Sequence, residues 1–478
     1  MRFSIRSFTR GLALGVSLLE GSASAQLADV VRARQLLAEA RTVIEKDTDG
    51  PGKAVFAEVA GAQARAGDRQ AALATATALR ITWGWKAAAK GFADAGDLAA
   101  ALEFAGKIVD DKDILNQVAG VNLEREDTLR EIAVRRAQRR DVKGALRAIR
   151  EIGFSPMAAR AYAALAEAQA RAGDAAEARR TLALAESTAG QAQPKPAAVI
   201  WQSPAYDDIG KAWWRVGDRT AALKAFDKGL AVARSIPDGY RDCAIAVNAA
   251  DRAEAGDVAG ALRVLKEVRE PHEPPTTSEV ARLSRALAAA GQHDRALELA
   301  AIAANDRRSN AFAQMGEAYF RKGDKAHAAQ AFGRAIAAAE TQSDAPLLSA
   351  SLRDVALLEV ARSQARAGDR EGALRTAARI PRRGPKANDE MTDDYLYDAL
   401  ASGQIEAGDL DGAWRTIGLV KGYPPQPDMW RALGRAEGRR GNVDAVLTRA
   451  PSSSERRRAA FLIGLAEGLV ERAEARQP

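Results

Sequence analysis

The chain has 478 residues and a net charge of +7, a small excess of 70 Lys and Arg over 63 Asp and Glu. This near balance argues against a nucleic-acid-binding protein, because such domains concentrate basic charge. The single cysteine, Cys243, cannot form an internal disulfide, so packing must hold the fold together.

The N-terminal segment has the organisation of a secretory signal peptide. Three arginines, Arg2, Arg6 and Arg10, precede a short apolar run at residues 11–19, and the small residues SASA follow at 22–25. The apolar run is much shorter than the roughly 20 residues of a membrane-spanning helix. We therefore expect residues 1–25 to be a signal peptide and the protein to be periplasmic, with secretion as an alternative and a short membrane anchor as another interpretation.

A short motif recurs along the rest of the chain: AQARAGD at 62–68 and 168–174, and SQARAGD at 363–369. Glycine accepts the left-handed conformation that ends helices, and aspartate caps the start of the next helix. Each copy therefore predicts the turn of a helical hairpin. With this turn residue as an anchor, eleven copies are found, at Gly67, Gly96, Arg140, Gly173, Gly217, Gly256, Gly291, Gly323, Gly368, Gly408 and Gly441.

Residue types repeat at fixed distances from each anchor. The residue seven before it is always Ala, Gly or Ser, the residue five after it is Ala or once Val, and the residue eleven before it is always large and apolar. Such spacing places large and small residues on one face of each helix, where the small ones allow close helix contact. No segment shows a sustained period of two. The chain is therefore predicted to be all-α.

Two copies resemble a known family. The segment 312–335, FAQMGEAYFRKGDKAHAAQAFGRA, resembles a tetratricopeptide repeat, and the segment 206–229 is nearly as similar. The other copies are degenerate, often with Gln where the family has Tyr, and their anchors are 29 to 45 residues apart. The resemblance implies a right-handed α-solenoid of about eleven hairpins over residues 52–450, with capping helices at both ends.

The expected domain organisation follows from these repeats. An N-terminal helix occupies residues 26–50, a first sub-array of repeats 51–190, a second sub-array 191–450, and a C-terminal capping helix 451–478. The long gap at residues 188–203 is the expected site of a bend or boundary. Proline-rich connectors separate several of the hairpins.

Residues for catalysis or metal binding are scarce. The three histidines, His272, His293 and His327, fall in different repeats without metal-ligand spacing, and Cys243 has no basic cluster beside it. The carboxylate pairs at 207–208 and 393–394 are expected at helix starts, where anions suit the helix dipole. We therefore predict no enzymatic activity, no cofactor and no metal.

The family resemblance implies that the first helix of each hairpin lines a concave groove. The positions ten, six and two before each anchor should face it, and they carry 14 Lys or Arg against 7 Asp or Glu. Arginine binds carboxylates with two parallel hydrogen bonds, so the groove would suit an acidic segment or a C-terminal carboxylate. The predicted groove residues, including two bulky ones, are Arg65, Lys86, Lys90, Arg130, Arg171, Lys211, Trp214, Arg215, Arg285, Phe320, Arg321, Arg362, Arg366, Arg431, Arg435 and Arg439.

Alternative explanations exist for parts of this set. The six arginines two residues before an anchor would also compensate the dipole at a helix C-terminus. The bulky Trp214 and Phe320 would also serve simply to pack against a neighbouring hairpin.

The function expected by resemblance is a non-catalytic exported scaffold that binds protein or peptide partners in the cell envelope. One alternative is a built-in accessory subunit of an envelope assembly, secretion or polysaccharide-export machine. Another is an enzyme with an unrecognised site. The partner and the oligomeric state are not determined by the sequence.

Overall fold

The computed structural model describes residues 5–47, 49–79, 81–109, 121–191, 199–269, 276–302, 305–344, 346–347, 350–380, 397–398, 400–419, 426–452 and 454–476. Over these residues the fold is all-α, as predicted, apart from two antiparallel strands of two residues each, β1 (Pro346–Leu347) and β2 (Ala350–Ser351). Among the residues so described, no helix is both long and apolar enough to cross a membrane.

The described helices follow one another along the chain. They are α1 (Ile5–Ile44), α2 (Gly50–Arg65), α3 (Arg69–Leu79), α4 (Thr82–Ala95), α5 (Leu98–Ala105), α6 (Leu123–Gln138), α7 (Val142–Arg150), α8 (Ser155–Arg171), α9 (Ala175–Ala189), α10 (Val199–Val216), α11 (Arg219–Ser235), α12 (Asp238–Ala255), α13 (Val258–Leu265), α14 (Thr276–Ala289), α15 (His293–Ile302), α16 (Asn305–Arg321), α17 (Lys325–Glu340), α18 (Leu352–Ala367), α19 (Arg370–Ala377), α20 (Leu410–Ile417), α21 (Pro427–Arg440), α22 (Val443–Leu447) and α23 (Glu455–Ala475). Residues 400–406 are also helical and precede α20.

All eleven predicted turns are confirmed. Each of the ten anchor glycines has a φ between 70° and 112°, and Arg140, at the eleventh anchor, has a φ of 61°. This left-handed conformation costs a residue with a side chain roughly 1–2 kcal/mol, which is why glycine recurs there. Among the described residues that carry a side chain, only Arg140 adopts this conformation.

The aspartates after the anchors cap the second helices, as predicted. In each case the Oδ1 atom accepts a hydrogen bond from the backbone N–H three residues later, over 2.8–3.2 Å. Such a cap contributes about 1 kcal/mol to helix stability. The nine capping residues are Asp68, Asp97, Asp141, Asp174, Asp218, Asp257, Asp324, Asp369 and Asp409.

The small residue seven before the anchor allows the two helices of a hairpin to pack closely. At Gly210 and Gly316, an added Cβ would lie 2.7 Å from the rings of Phe226 and Phe332 on the second helix. Both phenylalanines are buried. Glycine therefore makes room for an aromatic ring in the two hairpins that most resemble the tetratricopeptide family.

The glutamines that replace the family's tyrosine have a structural partner. In three hairpins the glutamine four before the anchor accepts a hydrogen bond of 2.7–2.8 Å from a threonine eight after it. The pairs are Gln63–Thr75, Gln364–Thr376 and Gln404–Thr416. Gln169 and Thr181 occupy the same positions, but the Gln169 Oε1 atom accepts no hydrogen bond. A hydrogen bond between largely buried side chains thus links the two helices where a tyrosine ring would otherwise pack.

The chain divides into two compact units. The first comprises Met1–Lys107 and Gln426–Pro478, so it contains both ends of the chain. In this unit α1 packs along α23, and charged pairs connect them, including Arg458–Glu39 at 2.7 Å and Arg476–Asp29 at 2.8 Å. The sequence predicted an N-terminal helix within residues 26–50 and a C-terminal capping helix within 451–478. In the structure α1 runs from Ile5 to Ile44 and packs against α23.

Helices α21 and α23 of this unit cross at glycines. Each helix carries two glycines four residues apart: Gly434 and Gly438 on α21, and Gly464 and Gly468 on α23. An added Cβ at any of them would overlap a backbone carbonyl oxygen of the other helix. The two backbones are therefore in direct contact.

The second unit spans Ile108–Pro425. Within it the first helices of consecutive hairpins pack side by side in the order α6, α8, α10, α12, α14, α16 and α18. They form a layer, as the family resemblance implies. The gap at residues 188–203, where a bend was expected, lies inside this unit. Residues 192–198 are outside the described part of the chain, and the bend remains a prediction.

Candidate partner-binding pocket

A charged cavity of about 330 Å³ opens on the layer of first helices in the second unit. Four consecutive first helices, α6, α8, α10 and α12, contribute its walls. Three predicted groove residues line it: Arg130, Lys211 and Arg215. The other lining residues are Val134, Arg160, Ala163, Ala164, Glu167, Asp208, Glu254 and Ala255.

The floor of the pocket is a fixed ion-pair network. The Asp208 carboxylate lies between Arg160, at 2.7 Å, and Lys211, at 2.9 Å, and Lys211 also contacts Asp251 at 2.8 Å. Burial alone would raise the pKa of Asp208, but Arg160 and Lys211 outweigh it and hold that pKa below its ordinary value. Burial likewise opposes the charge of Lys211, but Asp208 and Asp251 raise its pKa. These groups therefore stay charged and hold one another in place.

Glu167 occupies a different position in the wall. It contacts Arg171 at 3.1 Å and also Arg215, which belongs to the next hairpin. Burial raises the pKa of Glu167, and the two arginines only partly counteract it. About half of the Arg215 side chain is exposed, whereas Glu167 is largely covered. A carboxylate supplied from outside could therefore reach Arg215 from solvent and compete with Glu167 for it.

The neighbouring Asp207 faces away from the pocket. Asp207 and Asp208 lie in the middle of α10 rather than at a helix start, so that prediction was wrong; residues 393–394 fall outside the described chain. Asp207 is fully buried and accepts a hydrogen bond from Asn248, while its Oδ2 atom has no partner. Burial, reinforced by Asp251, raises the pKa of Asp207 well above its ordinary value.

This pair of adjacent carboxylates gives a pH test. Because the Asp207 pKa is raised, its contribution to stability is complete below the ordinary value of about 3.9 and is lost as pH rises through the folded-state pKa. We expect Asp207→Asn to unfold like the wild type at pH 3.5 and to be the more stable of the two at pH 7.5. Free energies of unfolding from urea titrations at both pH values measure this.

The adjacent variant Asp208→Asn is the matched control. In the wild type the pKa of Asp208 is lowered, so the contribution of Asp208 to stability is present above its ordinary pKa and is lost as pH falls through the folded-state pKa. Asp208→Asn should therefore be less stable than the wild type at pH 7.5. If both variants lost stability at neutral pH, Asp207 would be ionised in the folded state, and the interpretation of its burial would be wrong.

The six arginines two residues before an anchor all form ion pairs with glutamates. Glu167 pairs with Arg171 and Arg215, and Glu317 contacts Arg321 at 3.0 Å and Arg366 at 3.3 Å. In each set a glutamate from one hairpin bridges an arginine of its own helix and the corresponding arginine of the next hairpin. Arginines and glutamates therefore alternate across these first helices, and each glutamate pairs with two arginines.

The same pairing occurs in the first unit. Glu471 of α23 meets Arg65 at 3.2 Å, Arg439 at 2.5 Å, and also Arg435. Although burial opposes it, hydrogen bonds from Arg435 and Arg439 lower the pKa of Glu471. Arg431 contacts Glu467 at 2.5 Å. These four predicted residues hold helices of the first unit together.

The other predicted groove residues are distributed along both units. Arg130 and Arg362 pair with Asp127 and Glu359 on their own helices. Arg285 is exposed on α14. Lys86 and Lys90 are half-buried on α4, and neither is without a partner.

The two bulky residues pack against neighbours. The guanidinium of Arg219 lies 3.6 Å from the centroid of the Trp214 ring, and that ring also covers Gly256 at the next anchor. Phe320 is half-buried against the hydrophobic core of the second unit. Packing between hairpins thus accounts for the positions of both residues.

A second depression, of about 340 Å³, lies between the second helices α13 and α15. It is lined by three cations, Arg263, Lys266 and Arg295, around leucines and Glu298. No comparable ion-pair network is seen among its described lining residues. It is the more open and less organised of the two cavities.

The cysteine and the histidines, for which the sequence predicted no catalytic or metal-binding role, differ in their surroundings. Cys243 is half-buried, and burial raises the pKa of its thiol, which makes it a poor nucleophile. His272 lies outside the described residues. His293 and His327, which the sequence placed in separate repeats, are brought into contact in the structure.

The turns, the small contact positions and the layered first helices agree with a family match. Residues 202–357 match the tetratricopeptide repeat-like domain family. This part of the chain is similar to a tetratricopeptide repeat-like domain. The matched segment includes Lys211, Arg215 and Glu254 of the pocket wall, while Arg130, Arg160 and Glu167 come from hairpins that precede it.

No curated protein sequence matches the chain. Ton1535 from Thermococcus onnurineus NA1 is similar at 14% identity and a TM-score of 0.29, over 72% of this chain and 94% of that one. The maize pentatricopeptide repeat protein PPR10 has 15% identity and a TM-score of 0.31, over 95% of this chain and 64% of its own. A circular tandem repeat protein has 13% identity and a TM-score of 0.24, over 95% and 98% of the two chains.

Proposed function

We propose that the protein is a non-catalytic scaffold that binds protein or peptide partners, and that a partner's carboxylate enters the pocket between α6 and α12. The observation that carries this proposal is the pocket itself. Four consecutive first helices converge there, and four cations face three carboxylates around one concave space. The tetratricopeptide-like repeats supply the interaction surface. The excess of one cation over the carboxylates gives the pocket a preference for an anionic group of the partner.

The ion pairs indicate which cations a partner would contact. Arg160 and Lys211 are held by Asp208 and Asp251 and form the frame. Arg130 and Arg215 are paired with Asp127 and Glu167 at the rim. A ligand carboxylate would displace these acidic partners and gain charge-assisted hydrogen bonds from the guanidinium groups. We therefore expect the pocket to bind acidic segments of a partner better than neutral segments.

Site-specific photocrosslinking in the native host tests this proposal. We expect a photoreactive residue at Ala164, in the pocket wall, to give adducts with partner proteins. The double variant Arg130→Gln/Arg215→Gln should reduce adduct yield about tenfold, since loss of two charge-assisted bonds removes more than about 1.4 kcal/mol. Glu167→Gln should increase the yield, because it removes the competing carboxylate. Adducts are identified by mass spectrometry.

Matched controls separate the pocket from the rest of the surface. Leu184, exposed on α9, is the control crosslinking position, and Arg180→Gln is the control substitution, since that exposed arginine pairs only weakly across one turn with Glu177. Equal adducts from positions 164 and 184, or no effect of the double variant, would contradict the pocket assignment. Adducts from Ala259, in the second depression, would instead favour a built-in subunit that docks through its second helices.

We also propose that the protein is exported through removal of residues 1–25. Among the described side chains of α1, the buried residues are Ala33, Leu36, Leu37, Ala40 and Ile44, all beyond the expected cleavage position. Removal of residues 1–25 would therefore keep these buried side chains of α1 in the mature protein. The same crosslinking samples supply the test: the adducts should come from the envelope fraction, with an N-terminus at Gln26.

A further inference from the structure

Two histidines and an aspartate converge at the start of two consecutive second helices. His293 begins α15, Asp324 is the N-cap of α17, and His327 lies in the first turn of α17. One ring nitrogen of each histidine and one carboxylate oxygen of Asp324 lie within 4.8 Å of one another. All three side chains are half-buried.

The hairpin repeat explains why these residues meet. His293 is two residues after the anchor Gly291, and His327 is four residues after the anchor Gly323. The side chains of these two first turns meet across the boundary between the hairpins. The two imidazole rings are stacked with centroids 3.7 Å apart and planes inclined by 10°. A side chain from each hairpin is thus fixed against the other.

Hydrogen bonds orient both rings through the same type of nitrogen. The Nδ1 atom of His293 lies 2.8 Å from the Tyr319 hydroxyl, and the Nδ1 atom of His327 lies 2.7 Å from Asp324 Oδ2. The Tyr319 contact is of the kind that commonly orients a metal-binding histidine through its other ring nitrogen. Because Asp324 lies beside the Nδ1 atom of His327, an ion bound by both side chains would take that Nδ1 atom and replace the hydrogen bond between them. The other Asp324 oxygen accepts a bond from the His327 backbone N–H. The cluster is therefore braced before any ion binds.

The spacing is within reach of a metal site. Ligand atoms around a tetrahedral zinc ion are about 3.3 Å apart, given metal–nitrogen bonds of about 2.0 Å. Atoms now within 4.8 Å would reach that separation if both rings tilted out of their parallel stack, so that their in-plane lone pairs met at the ion. Two imidazoles and one carboxylate form a nitrogen-rich set that prefers zinc-like ions over magnesium or calcium, which select oxygen ligands.

We propose that His293, Asp324 and His327 bind one zinc-like divalent ion that links two consecutive hairpins. Tyr319 serves as a positioning residue that orients the His293 ring. Because the cluster is half-exposed, water or a group from a partner would complete the coordination. The site lies on second helices, whereas the charged pocket lies on first helices. The proposed ion site therefore does not depend on the proposed function.

Metal titration of the tag-free, chelator-treated full-length protein tests the site. We expect calorimetry with Zn²⁺ to show one ion per chain, and Co²⁺ to give the visible absorption of a nitrogen-ligated site. His293→Ala and His327→Ala should each weaken binding at least about tenfold. Asp324→Asn should also weaken it while it keeps the helix cap, since asparagine caps as well as aspartate.

The third histidine provides the matched control. His272→Ala should bind Zn²⁺ like the wild type, and Mg²⁺ should not compete. The proposal is overturned if the wild type binds no Zn²⁺ at concentrations near ~1 mM, if His272→Ala weakens binding as much as His293→Ala, or if Mg²⁺ competes equally. Circular dichroism of each variant confirms that the helices are intact, and His293→Gln replaces any alanine variant that fails to fold.

Discussion

Replacing Gly464 with alanine should destabilise the protein by about 3 kcal/mol, at the upper end of the cost of overpacking. Gly464 lies in the middle of α23, where alanine would ordinarily stabilise a helix by about 1 kcal/mol. Here the added Cβ would overlap the carbonyl oxygen of Arg431 on α21, which is backbone and cannot rotate away. The helix axes would have to separate, and the contacts around all four crossing glycines would loosen. Urea denaturation followed by circular dichroism measures the loss.

A glycine elsewhere in the chain supplies the control. Gly333, in α17, is also inside a helix, but an added Cβ there would have no atom within 4 Å. Gly333→Ala should therefore stabilise the protein by about 0.5–1 kcal/mol, because only helix propensity changes. The same substitution should thus lower the free energy of unfolding at Gly464 and raise it at Gly333. If Gly464→Ala also stabilised the protein, α21 and α23 would not touch at their backbones.

The hairpins could be predicted from the sequence because their signals are local. A left-handed glycine and a capping aspartate act within one turn of chain, so all eleven turns were found, including the one with Arg140 in place of glycine. The close contact positions were also evident, since small residues recur at fixed distances from each turn. Neither inference depends on how one hairpin meets the next.

The charged pocket was only partly predictable, because it depends on contacts between hairpins. Arg215 and Glu167 are 48 residues apart, and the irregular spacing of the anchors hides which glutamate meets which arginine. Counting charges therefore gave a basic groove, whereas the structure pairs the arginines with glutamates. Arg160 lies thirteen residues before its anchor, outside the three positions expected to face the groove.

The histidine cluster shows what the repeat could still have indicated. His293 and His327 were judged by their distance along the chain, which is 34 residues. Measured instead from their own anchors, both lie in the first turn of a second helix, and the side chains of these two first turns meet. Offsets from the turn, rather than separations in sequence, predict contacts in such an array.

The position four before each anchor leads to the final prediction. In the hairpin of Gly256 this position is Arg252, whose side chain is only 1% exposed. Its guanidinium donates to Asn248 and Asp257, both at 2.9 Å, and to Asp227 at 2.5 Å, and it lies 5.2 Å from the Phe226 ring centroid. Removal of one partner from such a buried network costs about 3–5 kcal/mol. We expect Arg252→Gln to lose about this much stability.

A second substitution should recover part of that loss. The residue eight after the same anchor is Val264, which is buried, whereas the hairpins with glutamine have threonine there. Arg252→Gln/Val264→Thr would recreate the glutamine–threonine hydrogen bond of those hairpins. The double variant should be about 1 kcal/mol more stable than Arg252→Gln, the net value of one hydrogen bond.

The control is an arginine outside the core. Arg234 makes a two-bond ion pair with Glu267 but is about half exposed, so Arg234→Gln should cost less than about 1 kcal/mol. Thermal and urea unfolding of the wild type and of the four variants, the single variant Val264→Thr included, measure these differences. If Val264→Thr lowered stability equally with or without Arg252→Gln, the two positions would not be in contact. The glutamine–threonine pair would then depend on the particular hairpins that contain it. It could not be transferred to another hairpin in place of the residue at the position where the tetratricopeptide family has tyrosine.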